Sequence, residues 1–452
     1  MNKLLINIKS IFNDSRHALL LFFLLVLGTH FLDFHLYVII AFGLFLVDWR
    51  CVKYKSFLLV LFFIVSVYIS WIFLDLRIFY QMELAKQVLL PGMLILLMYL
   101  LGLSLKIKKK KHAIVSDKRI FYSLFVFVIS YNVLIVWSYF TIPQDNPLSG
   151  IGMYVCFPNP YASSNINGGH LISTILAYYL TLMTFLLPLI LFYFSKFKKQ
   201  GFYNLELFTL LALSVFILYL SALMGRRTVV VLFILVFLFI FSIYFFEYKN
   251  IKKVFISLSV LVTLFYTVQV YEAYRVGIPE TKGIIVTENF IVPIVEYPEA
   301  RFSIESIPIF SKLAHQGLKD SRFNWWEKSF TIMLAYPFGG GYDEYVAPGI
   351  KLTHNVWLDM GKDLGILPFI LFFLVTILHI YYLVRIFFSG YIENLLKYQL
   401  VVIAMGIFAI MLIEPIFNSD KTFFAYIFFY FGVVSNVYVQ LKNKQETSLE
   451  EA

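Results

Sequence analysis

Long apolar runs, broken by short charged or turn-rich segments, constrain this chain more than any other feature. A lipid hydrocarbon core takes roughly 20 apolar residues per helix, with a range near 17–25. About twelve stretches meet or approach that length: 18–32, 34–48, 56–74, 88–104, 120–140, 170–194, 206–224, 228–246, 254–271, 364–384, 398–416 and 422–440. The first two are short and are expected to pair tightly around Asp33 to His35. Hydrophobic residues make up 60% of the 452 positions and charged ones 14%. No single soluble core could hide that much apolar surface, whereas lipid removes the need to hide it. The expected fold class is therefore an all-α polytopic membrane protein.

Basic residues orient it. With the N-terminus in the cytoplasm, alternate loops collect Lys3, Lys9 and Arg16, then Arg50, Lys53 and Lys55, then Lys106, the run Lys108 to Lys111, Lys118 and Arg119. The same side receives Lys196, Lys198, Lys199, Lys249, Lys252, Lys253, Arg385, Lys397, Lys442 and Lys444, so most of the 37 basic residues lie there. Short cytoplasmic loops rich in lysine and arginine are what the positive-inside rule demands. An even number of spans returns the C-terminus to the cytoplasm. The lysine run reads as a topogenic anchor against anionic headgroups. A nucleic-acid role would need a binding module that does not accompany the run. Cys51 and Cys156 fall on opposite sides of the bilayer in this topology and are not expected to pair, and no cysteine–histidine zinc spacing exists. The first apolar stretch has no small-residue cleavage site and reads as a retained helix.

The expected layout is spans one to nine over 1–271, a large outer loop over 272–363, and spans ten to twelve with a cytoplasmic tail over 364–452. The loop between spans nine and ten is the only long one, and work concentrates where a chain builds such a loop. Three outer features break local rules, as functional sites tend to. Gly225-Arg226-Arg227 forms a tight turn between apolar flanks, against the positive-inside trend. Its two readings are snorkelling arginines on lipid phosphate, or a bidentate clamp for a phosphorylated substrate. Arg322-Phe-Asn-Trp-Trp-Glu-Lys opens an expected interfacial helix with apolar Trp325, Phe330, Met333 and Leu334, ending at Pro337 and followed by Gly339, Gly340 and Gly341. The glycines could expose N–H groups that cradle an anion, or simply turn the chain. Thr353-His354-Asn355 lies just before span ten, where His354 would meet the outer membrane surface. A lone histidine there reads as structural or as a base, since imidazole exchanges protons near neutral pH.

In that order, the three features resemble the O-antigen ligase and O-antigen polymerase superfamily, integral-membrane glycosyltransferases of the GT-C kind. The family's last outer loop has an arginine, a tryptophan, a helix ending in Pro-x-Gly-x-Gly, then His-Asn with a leucine three residues on and a glycine-containing span. Here those are Arg322, Trp325 or Trp326, Pro337 with Gly339 and Gly341, His354-Asn355, Leu358 and Gly365. The resemblance implies a donor glycan on undecaprenyl pyrophosphate, used at the periplasmic face of the bacterial inner membrane without metal or other cofactor. It implies His354 as general base and Arg226 and Arg227 as the pyrophosphate clamp, with Arg322 or Arg301 contributing from the loop. It also places Trp325, Gly340, Gly341 and Asn355 around the substrate. Two activities share that donor chemistry. A ligase moves the glycan onto lipid A core, the favoured reading, and a polymerase moves it onto a second lipid-linked repeat unit. A lipid-linked oligosaccharide flippase is the reading from a different class, though repeated halves and broken midplane helices are missing.

Overall fold

The computed structural model describes residues 46–74, 89–107, 280–287, 290–296, 322–347, 351–413 and 421–450, with isolated positions between 40 and 124. The chain divides into two compact units. One joins Met1–Ser130 with Ser321–Ala452, and the other is Tyr131–Asp320.

In the first unit the described helices are α1 (Lys55–Leu74), α2 (Leu90–Ser104), α3 (Arg322–Ala335), α4 (Val356–Leu364), α5 (Ile366–Phe387), α6 (Asn394–Ile413) and α7 (Lys421–Glu450). Among the described residues four helices are long and apolar enough to cross a membrane: α1, α5, α6 and α7. Shorter, apolar α2 fills the expected 88–104 stretch and carries proline in its first turn, where the missing N–H is harmless. Five of the expected spans are thus helical, four close to their predicted limits and the last, expected over 422–440, running on to Glu450. The remaining ones, 18–32, 34–48, 120–140 and the four between 170 and 271, lie wholly or mainly outside the described residues.

Lipid offers no hydrophobic drive for helices to associate, so close packing and hydrogen bonds must hold them together. Both are present. Helices α2 and α7 cross at Gly102 and Gly432, where a side chain on either glycine would run into the other helix's backbone, at Phe429 and Tyr99 respectively. Beside the crossing, Tyr99 on α2, Ser435 on α7 and His379 on α5 form a buried polar node. Their separations are 2.9 Å from Tyr99 Oη to Ser435 Oγ and 3.0 Å from His379 Nε2 to Ser435 Oγ. Asn436 Nδ2 donates to the Leu105 carbonyl at 2.7 Å, and Tyr430 Oη to that of Leu400 at 2.6 Å. An aromatic cluster of Phe63, Phe372, Phe424 and Phe428 joins α1, α5 and α7, with Phe63 and Phe372 ring centroids 5.2 Å apart. The opposite faces carry exposed stripes at helical spacing: Leu58, Phe62, Val65 and Ile69 on α1, and Ile370, Phe373, Ile377 and Tyr381 on α5. These are surfaces for lipid.

Two loops predicted to share the cytoplasmic side do meet. Ile114 N–H donates to the Tyr391 carbonyl at 2.8 Å and Glu393 N–H returns to that of Ile114 at 2.9 Å. Cys51 is buried, its Sγ–H donating to the Leu103 carbonyl at 3.5 Å; Cys156 is outside the described residues.

In the second unit the described element is an antiparallel hairpin, β1 (Glu280–Thr287) with β2 (Phe290–Glu296), interrupted by a register shift between Thr281 and Gly283. It is a departure from an all-helical chain. The segment ETKGIIVTENFIVPIVE is dense in β-branched residues and far too short for a span. Pro293 is tolerated because each strand of a two-stranded sheet is an edge.

Leucine at Gly432 should wedge α7 off α2, an overpacking penalty of about 1–3 kcal/mol. The check is the thermal midpoint of detergent-purified protein, which should fall; an unchanged midpoint means the crossing accommodates a side chain.

Candidate active site

At the head of span α5 the chain doubles on itself. The interfacial helix expected from Arg322 to Pro337 is present as α3, and it runs into a tight turn. Gly339 N–H donates to the Tyr336 carbonyl at 2.9 Å, and Gly340 N–H to that of Asp363 at 3.0 Å. In return Ile366 N–H donates to the Pro337 carbonyl at 2.9 Å. Gly339, Gly340 and Gly365 have φ of 95°, 106° and 97°, conformations open mainly to glycine. A side chain on Gly365 would strike the Pro337 carbonyl oxygen at 2.6 Å, and one on Gly341 the Lys362 carbonyl at 2.7 Å.

Between the two readings of the glycines, these contacts favour the turn at Gly339 and Gly340. The N–H groups of Gly339 and Gly340 are committed to protein carbonyls, and the turn serves as a backbone clasp for the start of α5. Lys362 completes it from a fully buried position. Its Nζ donates to the Gly341 carbonyl at 2.9 Å and pairs with Asp363 Oδ1 at 2.7 Å. A buried ammonium needs both partners to offset its lost hydration.

The face of α3 does not follow the expected single stripe. Trp325, Ile332 and Met333 turn toward α4 and the glycine turn, whereas Phe323, Phe330, Leu334 and, beyond the helix, Phe338 are exposed. Phe323 and Phe338 reach 71% and 80% exposure. That apolar outer face suits a helix lying in the membrane interface.

His354 sits between α3 and α4. Its φ is 56°, the left-handed region that a non-glycine residue avoids, and its ring packs on that of Trp325 with centroids 5.7 Å apart. Such backbone costs about 1–3 kcal/mol and persists only where the surroundings over-determine it. Here both neighbours are pinned. Asn355 caps α4, its Oδ1 accepting from Leu358 N–H at 3.1 Å. On the other side, Thr353 is buried and donates both its N–H, at 2.7 Å, and its hydroxyl to Asp359 Oδ1. Asp359 is itself 0% exposed, and among the described residues its Oδ2 has no hydrogen-bond partner. Burial pushes its carboxyl up from 3.8 to about 6; the two bonds from Thr353 oppose the shift, Asp363 adds to it and Lys362 opposes it.

Of the residues singled out in the sequence, the structure brings Trp325 and His354 together and gives Asn355 a capping role. It places Gly340 and Gly341 in the clasp. Arg322 is the first residue of α3, with its side chain outside the described residues. Arg226, Arg227 and Arg301 also lie outside them. Sequence reasoning gave no role to Thr353, Asp359 or Lys362. The signal available for Asp359 was its place in the first turn of a helix capped by Asn355.

Residues 209–373 match a family model described as O-antigen ligase, a stretch that runs from before Arg226 through the clasp and His354 into α5. That segment is similar to the O-antigen ligase family. The match supports the resemblance to the O-antigen ligase and polymerase superfamily, whose members are membrane glycosyltransferases acting on lipid-linked glycans. No curated protein matches the chain. Within the matched segment, the Pro-x-Gly-x-Gly stretch ties α3 and α4 to the start of α5, and His-Asn sets the turn into α4.

Two outcomes are expected for this site. Because the folded-state value of Asp359 is raised, its ionised form weighs against the fold. The penalty is absent below about pH 4, grows through the window up to about pH 6 and is complete above it. The thermal midpoint of Asp359→Asn minus that of wild type should therefore become more positive as pH rises from about 4.5 to about 7.5; a pH-independent difference would contradict the buried-carboxylate account. Gly365→Ala should lower the midpoint at any pH, since it meets both a positive φ and a backbone clash.

Proposed function

We propose that this protein is an O-antigen ligase-type glycosyltransferase of the bacterial inner membrane. It moves a glycan from undecaprenyl pyrophosphate to a hydroxyl of lipid A core at the periplasmic face. What supports this reading most is the strained, doubly anchored His354 beside Trp325, within the family-matched segment and at the mouth of a span. On the expected topology an imidazole just before span α5 meets the outer membrane surface, where the sugar of a lipid-linked donor must sit.

The chemistry is a displacement at the anomeric carbon. His354 takes the proton of the acceptor hydroxyl as its oxygen bonds to that carbon. The bond from the carbon to the pyrophosphate oxygen breaks, and undecaprenyl pyrophosphate leaves with the electron pair. Arg226 and Arg227, with Arg322 or Arg301 from the loop, stabilise the charge growing on the leaving group. Guanidinium forks suit that task because they match phosphate oxygens two at a time. Trp325 offers its ring to the sugar as well as to His354.

His354→Ala should reduce transfer by roughly 10²–10⁴-fold, the usual contribution of a general base, with protein still inserted in the membrane. Arg226→Lys with Arg227→Lys should fall short of wild type, because a lysine cannot make the two-pronged contact. The lipopolysaccharide of cells carrying the dead variant identifies the acceptor. Core without any O-antigen fits a ligase, and core bearing a single repeat identifies a polymerase. Glycan transfer by purified protein in detergent excludes a flippase, and wild-type turnover by His354→Ala would end the general-base assignment.

A further inference from the structure

The buried carboxylate on α4 has a task that helix formation does not require. We propose that Asp359 is the positioning residue for His354, holding its left-handed turn through Thr353. The proposal rests on the reading of His354 as the general base.

The argument is one of constraint. Asn355 must adopt an extended backbone, φ −147° and ψ 116°, to cap α4, so the chain enters the helix from a set direction. Asp359, one turn into the same helix, draws the residue two positions before Asn355 back onto the helix by two hydrogen bonds to one oxygen. A third contact, from Thr353 Oγ1 to the Asn355 carbonyl at 3.4 Å, lies inside the same loop. With residues 353 and 355 both fastened to α4, residue 354 has to close the path between them, and it does so at φ 56°. An aspartate in the first helical turn is ordinarily solvated and favourable to the dipole. This one is fully buried, its other oxygen without a hydrogen-bond partner among the described residues. Such a placement is unfavourable for stability and is explained by what it holds.

Helix α4 is a firm base for this. Trp357 Nε1 on it donates to Thr376 Oγ1 of α5 at 3.1 Å, and Gly361 lies close against Met333 of α3. The imidazole is thus located relative to the span, with Asp359 as the link between helix and loop. Misplacing a reacting group by about 1 Å costs on the order of 10²-fold in rate, so the effect of losing the link falls on turnover and not on donor binding.

The test is steady-state transfer by full-length protein in detergent, with an undecaprenyl-pyrophosphate-linked repeat unit as donor. Lipid A core, and separately an excess of the same lipid-linked unit, serve as acceptors. Asp359→Ala should lower kcat about 10²-fold with donor KM unchanged. Asp359→Asn, which keeps an oxygen for both Thr353 donors, should recover most of that loss. Should Asp359→Ala fail to fold, Thr353→Val removes one of the two bonds at nearly constant volume. It should lower kcat with KM unchanged, and Thr353→Ser should restore it. Wild-type kcat in Asp359→Ala or Thr353→Val, an effect on KM alone, or equal losses in the Asn and Ala variants would each overturn the positioning role while His354→Ala remains inactive. If His354→Ala turns over like wild type, or wild type uses neither acceptor, the fault lies in the underlying functional reading instead.

Discussion

Two reciprocal backbone hydrogen bonds, Gly340 N–H to the Asp363 carbonyl and Ile366 N–H to the Pro337 carbonyl, tie the extramembrane helices to the head of a membrane span. Every other feature of the site is measured from that clasp. It brings the end of α3 against the junction of α4 and α5, and so sets Trp325 of α3 beside His354. Helix α5 begins without a side-chain cap, and the Pro337 carbonyl supplies the acceptor that its first N–H would otherwise lack. Glycine at 339 and 365 is required by conformation and by space together, since the two backbones touch where any side chain would stand.

Below the clasp the helices solve a different problem. In lipid, an apolar side chain gains little by touching another apolar side chain instead of an acyl tail. Specificity has to come from shape and from polar groups that have no water to turn to. The Gly102–Gly432 crossing supplies the first, and the Tyr99–Ser435–His379 node with the Asn436 bond supplies the second. The exposed stripes of α1 and α5 are the complement of that interior. The arrangement seats α5 against its neighbours, and the clasp at its head holds the loop that carries His354.

Much of this was legible in the sequence, for reasons that differ by element. Spans such as 56–74 and 364–384 were readable because membrane insertion is decided by local composition over about twenty residues. The interfacial helix from Arg322 to Pro337 was readable because proline and glycine punctuate it. His354 stood out only through its company, in an order that resembles the O-antigen ligase family. Less legible was the purpose of the glycines. Free N–H groups for an anion and a packed clasp call for the same residues, and only the partners Asp363 and Pro337 distinguish them. The hairpin at 280–296 was passed over because a search for twenty-residue apolar runs ignores seven- and eight-residue β-branched ones. The roles of Thr353 and Asp359 were hard to single out, since a threonine and an aspartate around a helix start are commonplace.

By itself the sequence determined that this chain is a multi-pass membrane protein, where its basic stretches fall along it, and that Arg322 to Pro368 carries motifs in the order seen in the O-antigen ligase family. All three depend on properties summed over neighbouring residues, such as apolar length, charge bias and motif order. Tertiary structure alone decided that His354 is strained, that Asp359 is buried, and that Gly340 faces Asp363 and not an open site. Those depend on which distant groups share a hydrogen bond. A carboxylate beside water and a carboxylate beneath a loop are the same letter in the chain, and only folding assigns the environment that separates them.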